Sequence, residues 1–215
     1  MKDLYIVGAG GFGREVAWLV ERVNDVNKEW NLKGFIDDNE AVHNTIEGGY
    51  QVIGGCDYLM NLQEEVWACC AVGNAAVREK IINKFANCQH IKWATLVDPS
   101  VISSNRVAIG EGTIICAGTI ITVDIEIGKH VIINLDCTIG HDDIIEDFVT
   151  IYPSVNVSGN VHVERNVELG TGAQIIQGKK IGRNTIVGAG SVVVKDLPEK
   201  CTAVGSPAKP IKYHD

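Results

Sequence analysis

The sequence predicts an α/β domain followed by a parallel β-helix, and three observations support this prediction. The first 90 or so residues of the 215-residue chain alternate strand and helix signals. From residue 95 a six-residue apolar repeat replaces the helical period and continues to residue 196. The chain contains 23 glycines, and a fold made of many tight turns needs glycine at its corners.

The N-terminal alternation indicates a parallel sheet covered by helices. Strand patterns occur in LYIVGAG, LKGFIDDN and VWACCAVGN, and apolar residues at helical spacing occur in FGREVAWLVERVNDV and AAVREKIINKFANC. We expect residues 1–92 to form this Rossmann-like domain, residues 93–196 to form the β-helix, and residues 197–215 to form a cap. Pro198, Pro207 and Pro210 in that last segment interrupt strand pairing.

The repeat divides residues 95–196 into 17 hexads without an insertion. The third column is Val, Ile or Leu in 16 of the 17 hexads, and Ser103 is the exception. This pattern predicts short parallel strands that each direct one aliphatic side chain inward, with three hexads in each triangular coil of 18 residues. At ~4.8 Å per strand spacing the nearly six coils form a prism roughly 27 Å tall.

The stretch CTIGHDDIIEDF places His141, Asp142 and Asp143 among inward-facing isoleucines. Because residues 18 apart stack in neighbouring coils, we expect these three residues at or beside an outward corner, with Gly159 stacked on His141. A glycine there would leave open space and an approachable N–H group. Asn134 is expected near the same edge. The alternative is a solvated corner without function, because charged corners are common in solenoids.

The segment GAGGFG carries Gly8, Gly10 and Gly13 at G-x-G-x-x-G spacing, and Asp37 follows Gly13 by 24 residues. This is the fingerprint of a dinucleotide-binding turn, but fewer than 95 residues precede the repeat, which leaves room for one mononucleotide-binding half. Amides at the helix N-terminus would hold a pyrophosphate. The alternative is that these glycines only close the turn between strand and helix.

The composition argues against several function classes. The net charge of −8 disfavours nucleic acid, whose phosphates require a basic surface. We expect no membrane insertion, because the N-terminal apolar stretch is too short to span a bilayer.

The seven cysteines form no C-x-x-C pair, so we expect free thiols and a cytoplasmic location, with Cys137 as core filler. The histidines fall in different columns, so we expect no zinc triad of the γ-carbonic anhydrase type.

Several motifs make the chain resemble a family of sugar acetyltransferases that includes sialic acid O-acetyltransferases and UDP-4-amino-sugar N-acetyltransferases. They are IVGAGGFGREV, GFIDD, AVGNAAVREKI, LVDPSVI, IIN followed by IGHD, IIEDF, VNVSGNV and VGSPAK. The resemblance covers almost the whole chain. It implies a left-handed β-helix with hexapeptide repeats behind a nucleotide-sugar-binding domain, with acetyl-CoA as co-substrate. It also implies a role in surface polysaccharide or glycan biosynthesis.

The resemblance also implies roles for individual residues. His141 is similar to the family's general base, Asp142 to its acidic neighbour, and Asn134 to a residue that holds the acceptor. The implied substrate-binding residues are Gly11, Phe12, Gly13, Asp37, Asp38, Gly73 and Asn74. The implied acetyl-CoA-binding residues are Thr150, Gly159, Thr171, Ala189 and Lys209. Thr150 and Phe12 depart from the family pattern, since many members have histidine at these two positions.

The expected chemistry is direct transfer without a covalent enzyme intermediate. A histidine accepts the proton of an attacking amine or hydroxyl, and an adjacent carboxylate favours the imidazolium that forms. A backbone amide in the SGN turn is the expected donor to the oxyanion. N-acetylation of a UDP-4-amino sugar is favoured. O-acetylation of sialic acid or another sugar stays open, and a non-catalytic sugar-nucleotide scaffold is the alternative from a different class.

We also expect a homotrimer. One outward row of the repeat is largely aliphatic and requires a cover, and it comprises Leu96, Ile114, Ile132, Thr150, Glu168 and Ile186. By the same resemblance, acetyl-CoA lies in the groove between neighbouring subunits, and His141 acts across a subunit boundary.

Overall fold

A computed structural model describes residues 1–214 and confirms the predicted fold class, a Rossmann-like α/β domain followed by a left-handed parallel β-helix. The N-terminal part is a six-stranded sheet in the order β3-β4-β2-β1-β5-β6. Its pairs are parallel except the short hairpin of β3 and β4. The elements are β1 (Lys2–Val7), α1 (Gly11–Val26), β2 (Trp30–Ile36), a 3₁₀ turn (Glu40–Val42), β3 (Ile46–Glu47), β4 (Tyr50–Gly54), α2 (Cys56–Met60), β5 (Val66–Cys70), α3 (Ala75–Lys84) and β6 (Ile91–Trp93).

The β-helix has three faces of stacked parallel strands. We call the first the docked face: Leu96–Val97, Ile114–Ile115, Ile132–Ile133, Thr150–Ile151, Glu168–Leu169 and Ile186–Val187. The second face consists of Ile102–Ser103, Ile120–Ile121, Thr138–Ile139, Asn156–Val157, Gln174–Ile175 and Val192–Val193. The third face consists of Val107–Ile109, Ile125–Ile127, Ile144–Ile145, His162–Val163 and Lys180–Ile181.

The strand registers follow the hexad numbering, since Ile133 pairs with Ile151 and Ile139 with Val157, each 18 residues on. Third-column aliphatics form one continuous core inside the prism. In most coils the sixth-column residue turns the corner in the left-handed region of backbone space, for example at Asp142 (φ 61°) and Asn160 (φ 59°). Glycine, asparagine and aspartate tolerate that region best, and this explains their frequency in the sixth column.

The expectation that the outward row of the docked face meets another subunit is wrong. Leu96, Ile114 and Ile132 are at most 1% exposed, because they pack against the apolar side of α1, which contributes Val16, Ala17, Leu19 and Val20. The row does need a cover, as expected, but the chain's own N-terminal domain supplies it. Only Ile186, at the far end of the row, stays exposed, at 37%.

Polar contacts complete this docking. Arg78 of α3 is buried, and its guanidinium donates to the carbonyls of Val72, Gly73, His130, Phe148 and Val149. The Ala75 N–H at the start of α3 donates to Glu168 Oε1 at 3.0 Å. Arg22 of α1 forms two hydrogen bonds with the buried carboxylate of Asp98. Burial lowers the pKa of Arg78 to about 10, so the guanidinium stays charged at neutral pH.

The C-terminal segment extends the ladder further than its prolines suggested. Cys201–Val204 pairs in parallel with Ile186–Val187 and lengthens the docked face. Lys209–Tyr213 then returns antiparallel, with Pro210 on the edge strand where a missing N–H is tolerated. None of the helices in residues 1–214 has the length and apolar character needed to cross a bilayer.

Candidate active site

His141 lies on the turn that joins the second face to the third. We call the stack of turns along this edge the His141 corner, comprising residues 122–124, 140–143, 158–161 and 176–179. The side chain of His141 is 64% exposed, and its Nδ1 is 2.7 Å from Asp142 Oδ2. Since a carboxylate only accepts, Nδ1 carries the proton and Nε2 presents its lone pair. The left-handed backbone of Asp142 turns its carboxylate back toward the ring.

Gly159 lies against the His141 ring, as the stacking of coils predicts. A Cβ on Gly159 would be 2.5 Å from His141 Nε2, 2.6 Å from Cε1 and 2.8 Å from Cδ2. The expected open space above Gly159 is therefore wrong, because the imidazole itself fills it. The missing side chain lets the ring lie flat on the backbone of the next coil.

The expectation that Asp143 lies outward beside His141 is also wrong. Asp143 occupies the first column, which points inward, and it is fully buried. Its Oδ2 accepts the Gly140 N–H at 3.1 Å, and its Oδ1 accepts the Val161 N–H at 2.8 Å. Burial raises the pKa of Asp143 to about 7. The other first-column expectation holds, since Cys137 is buried and burial raises its thiol pKa to about 11.

Asn134 lies at a different corner from His141, contrary to the expected shared edge. It follows the docked-face strand Ile132–Ile133, so one whole side of the triangle separates it from His141. We call this edge the Asn134 corner, comprising residues 98–101, 116–119, 134–137, 152–155, 170–173 and 188–191. Asn134 is 9% exposed, and its Oδ1 accepts the Leu135 N–H at 2.7 Å.

The residues predicted to bind acetyl-CoA are distributed over both corners. Gly159 lies at the His141 corner, whereas Thr171 and Ala189 are exposed at the Asn134 corner. Lys209 is exposed at the start of the last strand. Thr150 is fully buried under the N-terminal domain, where its Oγ1 donates to Gly73 O at 2.6 Å. One chain therefore does not bring these five residues together.

The glycine loop combines structural glycines with an open helix terminus. Gly13 is required for packing, because a Cβ would lie 2.1 Å from Gly8 O. Gly10 and Gly11 face open space, and no side chain caps the N-terminus of α1. Uncapped first-turn amides at a helix N-terminus are available to an anionic ligand. Phe12 and Leu135 both pack against the apolar cluster that includes Cys116 of the Asn134 corner.

A cavity of 420 Å³ opens at the carboxyl ends of β1 and β2, where nucleotides bind in sheets of this kind. It is lined by Gly8, Asp37, Asp38, Lys80 and Lys84, together with apolar residues. Asp37 Oδ2 accepts the Ala9 N–H at 3.0 Å and supports the glycine loop. Asp38 binds the Cys56 N–H and Lys84 Nζ, and these hydrogen bonds lower its pKa to about 2.

Sequence reasoning missed Lys80 and Lys84, although they lie at i and i+4 on α3 and so share a face of that helix. Gly73 and Asn74, predicted to line the pocket, lie at the start of α3 instead. Asn74 Oδ1 accepts the Val77 N–H as the helix cap, and Gly73 lies near the Tyr152 hydroxyl. A larger depression of 590 Å³ around Trp67 and Trp93 contains none of the predicted site residues.

Comparisons with known proteins agree with this architecture. Residues 3–85 match the model of the PglD N-terminal domain. GDP-perosamine N-acetyltransferase of Escherichia coli O157:H7 is 28% identical over 98% of the chain and 97% of the relative. The structure of PerB from Caulobacter crescentus in complex with CoA and GDP-perosamine has a TM-score of 0.87 and 30% identity, covering 99% of this chain and 98% of that one. The chain belongs to the hexapeptide family of sugar N-acetyltransferases.

A second structure of this family matches equally well. The acetyltransferase domain of PglB from Neisseria gonorrhoeae, in complex with acetyl coenzyme A, has a TM-score of 0.88 and 30% identity, covering 98% of this chain and 99% of that chain. The similarity to family members extends over both parts of the chain. The assignment to the sugar N-acetyltransferase family therefore rests on the N-terminal domain as well as on the repeat.

Proposed function

We propose that the chain transfers an acetyl group from acetyl-CoA to the amine of a nucleotide-linked amino sugar, with UDP-4-amino sugars as the favoured class. The observation that supports this most directly is the His141–Asp142 pair, which lies on Gly159 at an exposed corner. In this proposal residues 1–92 bind the nucleotide, residues 93–196 carry the transfer site, and residues 197–215 form the C-terminal cap. The relatives that act on perosamine and the ligands bound to their structures support the same chemistry.

His141 acts as the general base. Its Nδ1 donates to Asp142, so Nε2 accepts the proton that the sugar amine loses as its nitrogen attacks the thioester carbonyl. The C–N bond forms, the C–S bond breaks, and the imidazolium returns its proton to the departing thiolate of coenzyme A. Asp142 stabilises the imidazolium in between and keeps the ring in the required tautomer.

We take the Gly159 N–H at the His141 corner as the donor to the oxyanion. Within residues 1–214 the Ser158 N–H donates to Ile175 O and the Asn160 N–H donates to His141 O, whereas the Gly159 N–H donates to no acceptor. Gly159 is adjacent to the ring that would take the proton. A free donor at this position stabilises the charge that develops on the carbonyl oxygen.

The active site assembles between copies of the chain in a homotrimer. The N-terminal domain packs on the docked face and its glycine loop lies on the side of the Asn134 corner, while His141 lies across the second face. An acceptor held by one chain would therefore meet the His141 corner of another. Exposed isoleucines on the other two faces support this assembly: Ile102 and Ile120 on the second face, and Ile144 on the third.

Activity is tested with purified protein, acetyl-CoA and a panel of UDP- and GDP-linked amino sugars. Coenzyme A release and product mass should show one acetyl group added, and resistance of the product to hydroxylamine should identify an amide. An ester product would indicate O-transfer, and absence of turnover with every acceptor, alongside tight binding of a sugar nucleotide, would support the scaffold alternative. His141→Ala should remove turnover while acceptor binding persists.

Assembly between subunits is tested by mixing two impaired variants. Co-expression of His141→Ala with Asn134→Ala at equal levels should restore about a quarter of wild-type activity, because a site formed by two chains takes one intact residue from each. A site contained in one chain would show no recovery. Light scattering should give the mass of three chains, and a monomeric mass would contradict the assembly.

We further propose that the protein acts in the cytoplasm, in surface polysaccharide or glycan biosynthesis. All seven cysteines are unpaired, which supports a reducing compartment. The use of acetyl-CoA as co-substrate fits the same location. Detection of the acetylated sugar in surface glycans, and its loss on deletion of the gene, would test the pathway assignment.

A further inference from the structure

Asp143 is unusual in its column. The first-column slots point inward and otherwise hold apolar, hydroxyl or lysine side chains, and Asp143 is the single acid among the 17. It lies in the stack between Ile125 and Val161, each 1% exposed, and is itself fully buried. No basic side chain of residues 1–214 forms an ion pair with it. Burial of an unpaired carboxylate is unfavourable, so this position requires a specific explanation.

Threonines show what a polar first-column residue ordinarily does. The hydroxyls of Thr113, Thr119 and Thr185 each accept an N–H from the next coil and donate to a carbonyl just before it. For Thr113 the partners are Val131 N at 3.1 Å and Gly128 O at 2.8 Å. A neutral hydroxyl thus joins two coils without introducing a buried charge.

Asp143 makes the contact to the next coil and adds one that threonine cannot make. Its Oδ1 accepts the Val161 N–H, the counterpart of the threonine contact. Its Oδ2 reaches back to the N–H of Gly140, the residue directly before His141, and this N–H also donates to Val157 O of the next coil at 2.9 Å. The carboxylate therefore connects the turn that carries His141 with the turn that carries Gly159.

The relative position of these two turns determines where the imidazole lies. A Cβ on Gly140 would be 2.4 Å from Gly159 N, so the backbones are in direct contact. The Asn160 N–H donates to His141 O at 2.7 Å, and the ring itself rests on Gly159. Without Asp143 only the backbone hydrogen bonds from Gly140 to Val157 O and from Asn160 to His141 O would hold the turn 140–142 to this coil, and we infer that the turn then shifts relative to Gly159.

We propose that Asp143 is a positioning residue that holds His141 on the Gly159 turn. The inference rests on the proposed acetyl transfer and deepens it. The titratable groups around Asp143 are His141 and Asp142 on its own turn. The coil below contributes the Asp124–Arg106 ion pair, and the turn 158–161 contributes none.

The test compares Asp143→Thr and Asp143→Asn with the control Thr113→Val. Asp143→Thr keeps the tie to Val161 but loses the tie to Gly140. We expect kcat to fall about 10- to 100-fold with KM for acetyl-CoA nearly unchanged, since the ring is misplaced but the coenzyme surface is intact.

Thr113→Val should lower the melting temperature by removing a tie between coils but should leave kcat and KM unchanged. Asp143→Thr with a wild-type kcat overturns the inference, whatever its stability. If Asp143→Asn does not fold, Asp143→Thr alone decides the outcome. Wild-type protein that transfers no acetyl group would contradict the proposed function instead, and the two failures are thereby distinguished.

Discussion

Gly159→Ala is expected to displace the imidazole of His141 without destabilising the fold. The new Cβ would be 2.5 to 2.8 Å from three ring atoms, whereas carbon contacts are favourable only from about 3.5 Å. The ring must therefore move by about 1 Å, and it moves outward because its side chain is 64% exposed. The backbone itself accepts alanine, since Ala117 and Ala189 occupy the same column in other coils.

A displacement of about 1 Å at a reacting group costs on the order of 100-fold in rate, so we expect kcat to fall by that factor. The melting temperature should stay the same or rise slightly, because alanine reduces the entropy of the unfolded chain. Steady-state kinetics with acetyl-CoA and the best acceptor, together with thermal unfolding, measure both effects.

The matched control is the same substitution in the His141→Ala background. With the ring removed, Gly159→Ala should produce no further loss, because its effect is exerted through the imidazole. An equal loss in both backgrounds would show that the alanine obstructs a substrate instead. A kcat within about 3-fold of wild type in the single variant would refute the argument from ring position.

Two further predictions concern the docking of the domains. Burial lowers the pKa of His130 from 6.5 to about 4, so the unfolded chain takes up a proton between these values that the folded chain does not. The free energy of unfolding should fall by about 3 kcal/mol as the pH drops from about 6.5 to about 4. Urea titrations of His130→Asn should not show this dependence on pH. The same dependence of the unfolding free energy on pH in the variant would contradict the prediction. Arg78→Met should lower the free energy of unfolding in urea by about 3 to 5 kcal/mol, because it leaves buried carbonyls without donors. The control Lys33→Met, on the surface, should lower it little. Equal effects of the two substitutions would exclude the structural role of Arg78.

The periodic part of the fold was predictable because its information is local. One inward aliphatic side chain every six residues specifies the strand, and the absence of insertions specifies the register. The pairing of Ile139 with Val157 therefore follows from the sequence. The stacking of Gly159 on His141 follows from the same count. The glycine loop was equally predictable from the sequence, since Gly13 lies too close to Gly8 O for any side chain at position 13.

Two expectations are wrong because proximity in sequence and the hexad count disagree. Asp143 adjoins His141 and Asp142 in sequence, whereas its first-column position predicts an inward side chain. Asn134 is only seven residues from His141, whereas the count assigns them to successive corners. In both cases the hexad count predicts the observed position, because the chain turns a corner of the prism every six residues.

The winding of the prism, its inward rows and the solvent-exposed imidazole thus follow from spacing alone, because strand direction and stacking repeat with the covalent chain. The spacing does not show what covers the row of Leu96, Ile114 and Ile132. An apolar row indicates that something covers it, but not which part of the chain or which other chain does so. Only the packed chain shows that α1 covers it and that Arg78 and Glu168 fix the contact. These contacts join segments far apart in the sequence, so no local pattern shows where the glycine loop lies relative to His141.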